Sequence, residues 1–336
     1  MNHITASWAL ILAFGLAHAA TGSQEDRDVD VPPPPTNDVK TMTPMDTAPV
    51  YHTLTSYDPK WKAMIEEGIE MARSYWGSYG PTHVWIVGYD EGQAPDSKAE
   101  LAFLEGYCRW RIEDTQRTMA ECLPYATERF IDVARSGTPE AYLSDVRERT
   151  PRMAELVFIN VHKWYFERDR LPDPIARGIH EYTHVAQHGF GHMPTWMMEG
   201  GAVFSEAWLP ALAGKRKPEQ MLGYVMDNAQ KTTKTPFTIA DMEAIETAPP
   251  EVAQYHRELA YDAGAWATIF MVHHTPTRSV STLRDVLYPR VTEVGWEQAL
   301  CEYVDMPSKE AFYKAFASFM AKPREEHMRI FRTLKP

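Results

Sequence analysis

The chain has 336 residues, 44% of them hydrophobic, enough to bury a substantial core, and its composition is neither low-complexity nor collagen-like. A formal net charge of −12 with no long run of Lys or Arg argues against a surface that neutralises nucleic-acid phosphates, so nucleic acid is excluded as a partner. One compact unit, bilobal at most, is the default.

Residues 8–16 form an uncharged apolar run followed by Ala17-His18-Ala19-Ala20, with small residues placed as a signal peptidase requires. Residues 1–20 therefore read as a cleaved signal peptide, although residues 1–6 contain no Lys or Arg, and the chain as secreted or periplasmic. The run falls short of the roughly 20 apolar residues a spanning helix needs, and no later segment spans, so no stable membrane span is expected after cleavage. Residues 21–50, acidic and then proline-rich with Pro32 to Pro35 consecutive, cannot repay the entropy of folding and read as a disordered linker.

Folded sequence is expected from about Tyr51. The spacing of Trp61, Ile65, Ile69 and Ala72 predicts a helix over 59–75, ended by Gly77 and Gly80-Pro81. Residues 82–89, rich in Val, Ile and aromatics, read as a strand, 97–135 as helix in two pieces, and 155–166 as a second strand. Everything beyond reads as helix: 174–188, 195–212, 218–229, 250–274, 296–303 and 308–321. The order predicts an α+β, predominantly helical fold, with a small mixed amino-terminal lobe (51–165) packed on a helical carboxy-terminal lobe (166–336) and a cleft between them. Export would permit one disulfide among Cys108, Cys122 and Cys301; Cys108 with Cys122 is one reading and three buried, reduced thiols the other.

The chemistry concentrates in His180-Glu181-Tyr182-Thr183-His184. Residues four apart on a helix lie one above the other, so His180 and His184 can aim both imidazoles at one zinc ion. Glu181 is placed to take a proton from the water that zinc acidifies. Ile175, Ile179, Val185 and Ala186 supply an apolar face, and Gly178 lets another element approach closely. By spacing alone the motif also arises by chance on ordinary helices.

Catalytic zinc takes three protein ligands, and His188, His192, Glu199 and Glu206 follow as candidates for the third. The metzincin pattern would require glycine where Gln187 stands and histidine where Phe190 stands, which excludes that class. His188 lies one turn further along the helix axis, and His192 lies past Gly189 and Gly191. Residues 194–206 start a second helix that can run back past the first, and Trp196-Met197-Met198-Glu199-Gly200-Gly201-Ala202 within it resembles the Trp-x-x-Glu-Gly-x-Ala context of gluzincin metallopeptidases, the thermolysin-like and aminopeptidase-N-like group. The resemblance implies Glu199 as the third ligand and leaves Glu206 to orient a ligand histidine or to lie on the surface.

A second likeness is Ala260-Tyr261-Asp262-Ala263-Gly264-Ala265, similar to the Tyr-x-Lys-Gly-Ala segment of aminopeptidase-N-like enzymes, with Ala263 where those carry lysine. It implies that the Tyr261 hydroxyl donates to a developing oxyanion, with His256 the competing donor. The strand through 156–161 stands where gluzincins carry the edge strand that pairs with extended substrate; an ordinary buried strand is the other reading. The aminopeptidase amine-binding segment Gly-x-Met-x-Asn does not occur upstream, and 223–228 resembles it only superficially, as an exposed helix end. His273 and His274 read as helix-end residues.

The resemblance implies a secreted, zinc-dependent peptidase acting on a peptide or protein substrate. His180, His184 and Glu199 hold Zn2+, Glu181 is the general base, and Tyr261 steadies the oxyanion. Its rivals are a zinc hydrolase of a non-peptide amide or ester, and a catalytically silent binding protein on the same scaffold.

Overall fold

Two strands buried on both faces organise the fold. The computed structural model describes residues 42–90, 92–113, 115–146, 152–163 and 173–336. The expected signal peptide and most of the expected linker lie outside the described residues. Packed structure is present earlier in the chain than the composition suggested: Met42 is buried, and β1 (Thr43–Pro44) pairs antiparallel with β3 (Tyr79–Gly80).

After β2 (Val50–Thr55), α1 (Pro59–Trp76) carries the chain over to β4 (Thr82–Gly88), which runs parallel to β2. Two parallel strands need such a crossover. Next come α2 (Ser97–Ile112), α3 (Met119–Ala126), a π-turn and the short α4 (Val133–Ser136). The four-stranded sheet closes with β5 (Glu140–Val146) and β6 (Met153–Ile159), in the order β2-β4-β6-β5, with β5 the only antiparallel member. Val84, Ile86, Leu156 and Phe158 face a core shared with Ile65 and Ile69 of α1, while Trp85, Val87, Val157 and Ile159 face Leu104, Tyr107 and Phe130. This period of two, apolar on both sides, is the signature of a covered parallel sheet. A Cys108–Cys122 disulfide staples α2 to α3, and Cys301 is free.

The rest is helical: α5 (Pro174–Gln187), α6 (Thr195–Leu212), α7 (Pro218–Ala229), α8 (Pro250–Ala253), α9 (Gly264–His274), α10 (Tyr288–Val294), α11 (Trp296–Val304), α12 (Lys309–Met320) and α13 (Arg324–Phe331), with short 3-10 and π-turns between. The molecule is thus α+β and mostly helical, and residues 40–336 pack as one unit. No helix among the described residues is long and apolar enough to cross a membrane.

Four expectations change. The strand expected over 155–166 ends at Ile159, because Asn160 adopts a left-handed φ of 49° and its side chain accepts the Tyr89 N–H at 3.1 Å; residues 164–166 lie outside the described ones. Of the two readings left open for that same strand, the edge reading falls: it is interior, flanked by β4 and β5. The single helix expected over 250–274 is broken by a turn at Gln254–Tyr255, and its second part opens as a π-turn across Arg257–Ala263 that runs on into α9. Residues 223–228 lie inside α7 with Gly223, Val225 and Met226 buried, not at an exposed helix end.

Candidate functional site

Local sequence explains why α5 starts where it does. Pro174 occupies the first helical turn, where its missing N–H costs nothing, and the Asp173 carboxylate caps the helix by accepting the Ala176 N–H at 2.9 Å. Arg216 pairs with the other oxygen of Asp173. Nearly every residue of α5 is buried, since α1 crosses it at a glycine pair. A Cβ on Gly68 would lie 2.1 Å from the Ile175 carbonyl oxygen, and one on Gly178 would lie 2.3 Å from that of Ile65. The close approach expected at Gly178 is present.

The chain turns back through Gly189 and Gly191 into α6. The Thr195 N–H at its start donates to the Glu243 carbonyl at 2.8 Å. Gly200 packs against Gly264 so closely that a Cβ on it would lie 2.1 Å from that residue's carbonyl carbon. This pair holds the first turn of α6 against α9, and on its other side Glu199 meets the two histidines of α5. Glu199 Oε2 lies 3.1 Å from His180 Nε2 and 3.4 Å from His184 Nε2. The two imidazole rings are 4.7 Å apart and nearly perpendicular. Among the described residues, His180, His184 and Glu199 form a group whose donor atoms all lie within 4.8 Å of one another. Ligands at about 2.0–2.2 Å from one tetrahedral ion are separated by roughly 3.3–3.6 Å, near the two distances from Glu199, and two imidazoles with a carboxylate are donors of the kind zinc takes.

Each histidine is held from behind. His180 Nδ1 lies 2.7 Å from Glu206 Oε1, and that fully buried carboxylate also pairs with Arg177. His184 Nδ1 lies 2.8 Å from Gln187 Oε1. Of the two positions weighed for Glu206, the structure gives the buried one, behind His180 and not on the surface. Burial works against a charged ring at His180, yet its hydrogen bonds to Glu199 and Glu206 outweigh that and push it up to about 9. At Glu199 burial is likewise outweighed, and the two imidazoles hold the carboxyl well below the usual range. Glu181 behaves oppositely: burial raises it against the pull of His180, His184 and Arg177. A buried carboxylate with raised proton affinity suits proton transfer.

His180, Glu181, His184 and Glu199 line a cleft of about 330 Å³, together with His188, Met198, Glu246, Tyr261 and, from β5, Ala141, Tyr142 and Leu143. The Tyr261 ring stacks on His180 at 5.8 Å, with the Arg257 guanidinium 4.9 Å above it and His256 edge-on at 5.2 Å. Burial and the nearby Glu199 raise the Tyr261 phenol well above its ordinary value, so it remains a hydrogen-bond donor. The π-turn explains how Tyr261 reaches the cleft while Asp262, one residue on, is buried and pairs with Arg257. Such turns recur where a helix must re-aim a side chain at a site.

Of the other third-ligand candidates, His188 lines the cleft without joining the cluster, and His192 is exposed beyond the end of α5. His273 and His274 close α9 as expected. The strand bordering the cleft is β5, not the one read from sequence. Gln187, Arg177, Glu246 and the β5 residues were not identified from sequence, since no local pattern marks them. A larger concavity of about 760 Å³, lined by Lys215, Arg216, Lys217, Glu219, Gln220 and Arg332, shares no residue with the cluster.

The chain matches no family model, no curated protein and no solved structure. What can be said of the site therefore rests on its own residues and geometry.

Proposed function

We propose that this chain is a zinc-dependent peptidase of the gluzincin type, exported from the cell. The observation that carries the reading is the convergence of His180 Nε2, His184 Nε2 and Glu199 Oε2, from two helices, beside a buried Glu181. Zinc, when held there, supplies Lewis acidity to a water and to a substrate carbonyl. The remaining work falls to the chain. Glu181 accepts a proton from the attacking water and returns it to the leaving amine, and its raised affinity suits both halves of that task. The Tyr261 hydroxyl, lining the same cleft, donates to the oxygen on which charge develops, and His256 is the alternative donor against its ring. Glu206 accepts a hydrogen bond from the Nδ1–H of His180 and so keeps the lone pair on Nε2 free to bind metal.

A peptide substrate is favoured by β5. It is one of the sheet's two edge strands among the described residues, its residues border the cleft, and the unpaired N–H and C=O groups of an edge strand can hold an extended chain in register. The cleft walls also support the two-lobe arrangement, since Ala141, Tyr142 and Leu143 come from the mixed part of the chain and the metal-binding set from the helical part. The Cys108–Cys122 disulfide fits export to an oxidising compartment.

The test is digestion of a peptide library before and after chelation, alongside metal analysis of the dialysed protein. Wild type is expected to hold one equivalent of zinc and to cleave only when loaded. Glu181→Gln should keep the zinc and lose about 10²–10⁴-fold in kcat, the range for a positioned general base. One equivalent of zinc with hydrolysis unchanged by Glu181→Gln would refute the catalytic reading; cleavage of esters or non-peptide amides alone would move the substrate class.

A further inference from the structure

Gln187 stands where the metzincin pattern has glycine, and the mechanism above makes no use of it. It is the last residue of α5, wholly buried, and every polar atom of its amide is engaged. Its Oε1 lies 2.8 Å from His184 Nδ1, and its Nε2 donates to the Met198 carbonyl at 3.0 Å and lies 3.3 Å from the Tyr288 hydroxyl. The orientation of the amide follows from these partners. Reversed, its oxygen would face the Met198 carbonyl oxygen and its NH2 would face the ring, losing the bond to Met198. An amide oxygen only accepts, so His184 Nδ1 must carry the proton and the lone pair must sit on Nε2, the atom that faces Glu199.

We propose that Gln187 is a positioning residue for the metal centre, locking His184 in the metal-binding tautomer and tying it to the backbone next to Glu199. The inference rests on reading His180, His184 and Glu199 as metal ligands. Met198 immediately precedes Glu199, so one buried amide spans from a ligand on α5 to the peptide beside the ligand on α6. Gly201 belongs to the same device. A Cβ there would lie 2.9 Å from both Gln187 Nε2 and the Tyr288 hydroxyl, closer than such atoms pack, so the second glycine after Glu199 is the space the amide occupies. The two histidines are thus supported differently. His180 leans on a carboxylate whose charge Arg177 balances, and His184 on a neutral amide that adds no further charge to the buried site.

The experiment measures zinc affinity of the full chain by competition with a chromogenic chelator, for wild type, Gln187→Met, Gln187→Glu and Gly201→Ala, each checked for folding by circular dichroism. Gln187→Met, similar in length but with no acceptor, is expected to weaken zinc binding 10–100-fold, the usual effect of removing a partner of a ligating histidine. Gln187→Glu restores an acceptor for Nδ1 and should recover part of that loss; Gly201→Ala should weaken binding although it touches no ligand. A second measurement needs no variant: nitrogen NMR of histidine-labelled, zinc-loaded wild type should show His184 bound through Nε2 with a slowly exchanging Nδ1 proton. Unchanged zinc affinity in folded Gln187→Met, or His184 bound through Nδ1, overturns the proposal. A wild type that takes up no zinc overturns the metal reading itself, a different result from either of these.

Discussion

His162 shows how one side chain can govern the response of this fold to acid. It is 4% exposed, packs its ring 4.4 Å from that of Tyr57, and reaches Asp90 at 3.3 Å through Nε2. Burial lowers it to about 4, against the pull of Asp90 and with help from Lys163. Since the unfolded chain protonates this ring near 6.5, the unfolded state binds more protons throughout the interval from 6.5 down to about 4. Its contribution to stability is therefore complete above 6.5 and is lost as the pH falls through that window. Between pH 7 and pH 4.5 the loss from this residue should be about 2–3 kcal/mol. Urea unfolding at the two pH values checks it: His162→Gln should shed that part of the acid sensitivity, and an identical drop in the variant would refute the assignment. At the same scale, Glu181 and His180 were legible from sequence because their spacing is local. Glu206 was legible only as one of two readings, because it lies 26 residues away on another helix, and Gln187 was not legible as a support, because nothing in the spacing marks a buried amide three residues past His184.

At the scale of elements, helix ends were well marked and strand partners were not. Pro174 after Asp173, Pro194 before Thr195 and Pro218 give α5, α6 and α7 their starts, and the structure begins each helix where the sequence does. The strand β5, Glu140-Ala141-Tyr142-Leu143-Ser144-Asp145-Val146, shows neither alternation nor a run of β-branched residues. It is a strand because β6 offers it an edge. The glycines illustrate the same dependence on neighbours and support a paired prediction. Gly178→Ala would drive a Cβ to 2.3 Å from the Ile65 carbonyl oxygen, backbone that cannot yield without separating α1 from α5. A loss of about 1–3 kcal/mol is expected, together with weaker zinc binding, because His180 rides on the displaced helix. Gly106, inside α2, has nothing within 4 Å of a Cβ, so Gly106→Ala should stabilise by about 0.5–1 kcal/mol. Thermal unfolding of the two variants should move in opposite directions; movement in the same direction would refute the packing argument.

For the whole molecule, charge is the property that reaches the site from a distance. The chain carries a net −12, and the cleft is lined by Glu181, Glu199 and Glu246 with no Lys or Arg among its lining residues. Arg177 is matched by Glu206, and Arg257 by Asp262, so neither offers an uncompensated positive charge nearby, and a zinc ion held at the site would offset two of the three carboxylate charges and leave the cleft still negative. Peptides with Lys or Arg are therefore expected to be cleaved several-fold faster, in kcat/KM, than otherwise identical acidic ones at low ionic strength. The advantage should shrink as salt shortens the range of the field. Equal rates for the two peptides at low salt would show that the field does not steer substrate.

The sequence by itself determined the helices and the chemical motif. Both depend on spacings of three to seven residues and on caps adjacent in the chain, so His180, Glu181 and His184 on one buried helix could be read without coordinates. A likeness of short motifs pointed to Glu199 and Tyr261. Only the tertiary structure decided that Glu199 Oε2 meets both imidazoles, that Tyr261 reaches the cleft through a π-turn, and that the edge strand is β5 and not β6. Each of these depends on which residues distant in sequence pack together. At the two crossings that set the site, the packing distance is itself set by glycine pairs, Gly68 with Gly178 and Gly200 with Gly264, whose meaning is invisible until both partners are in place.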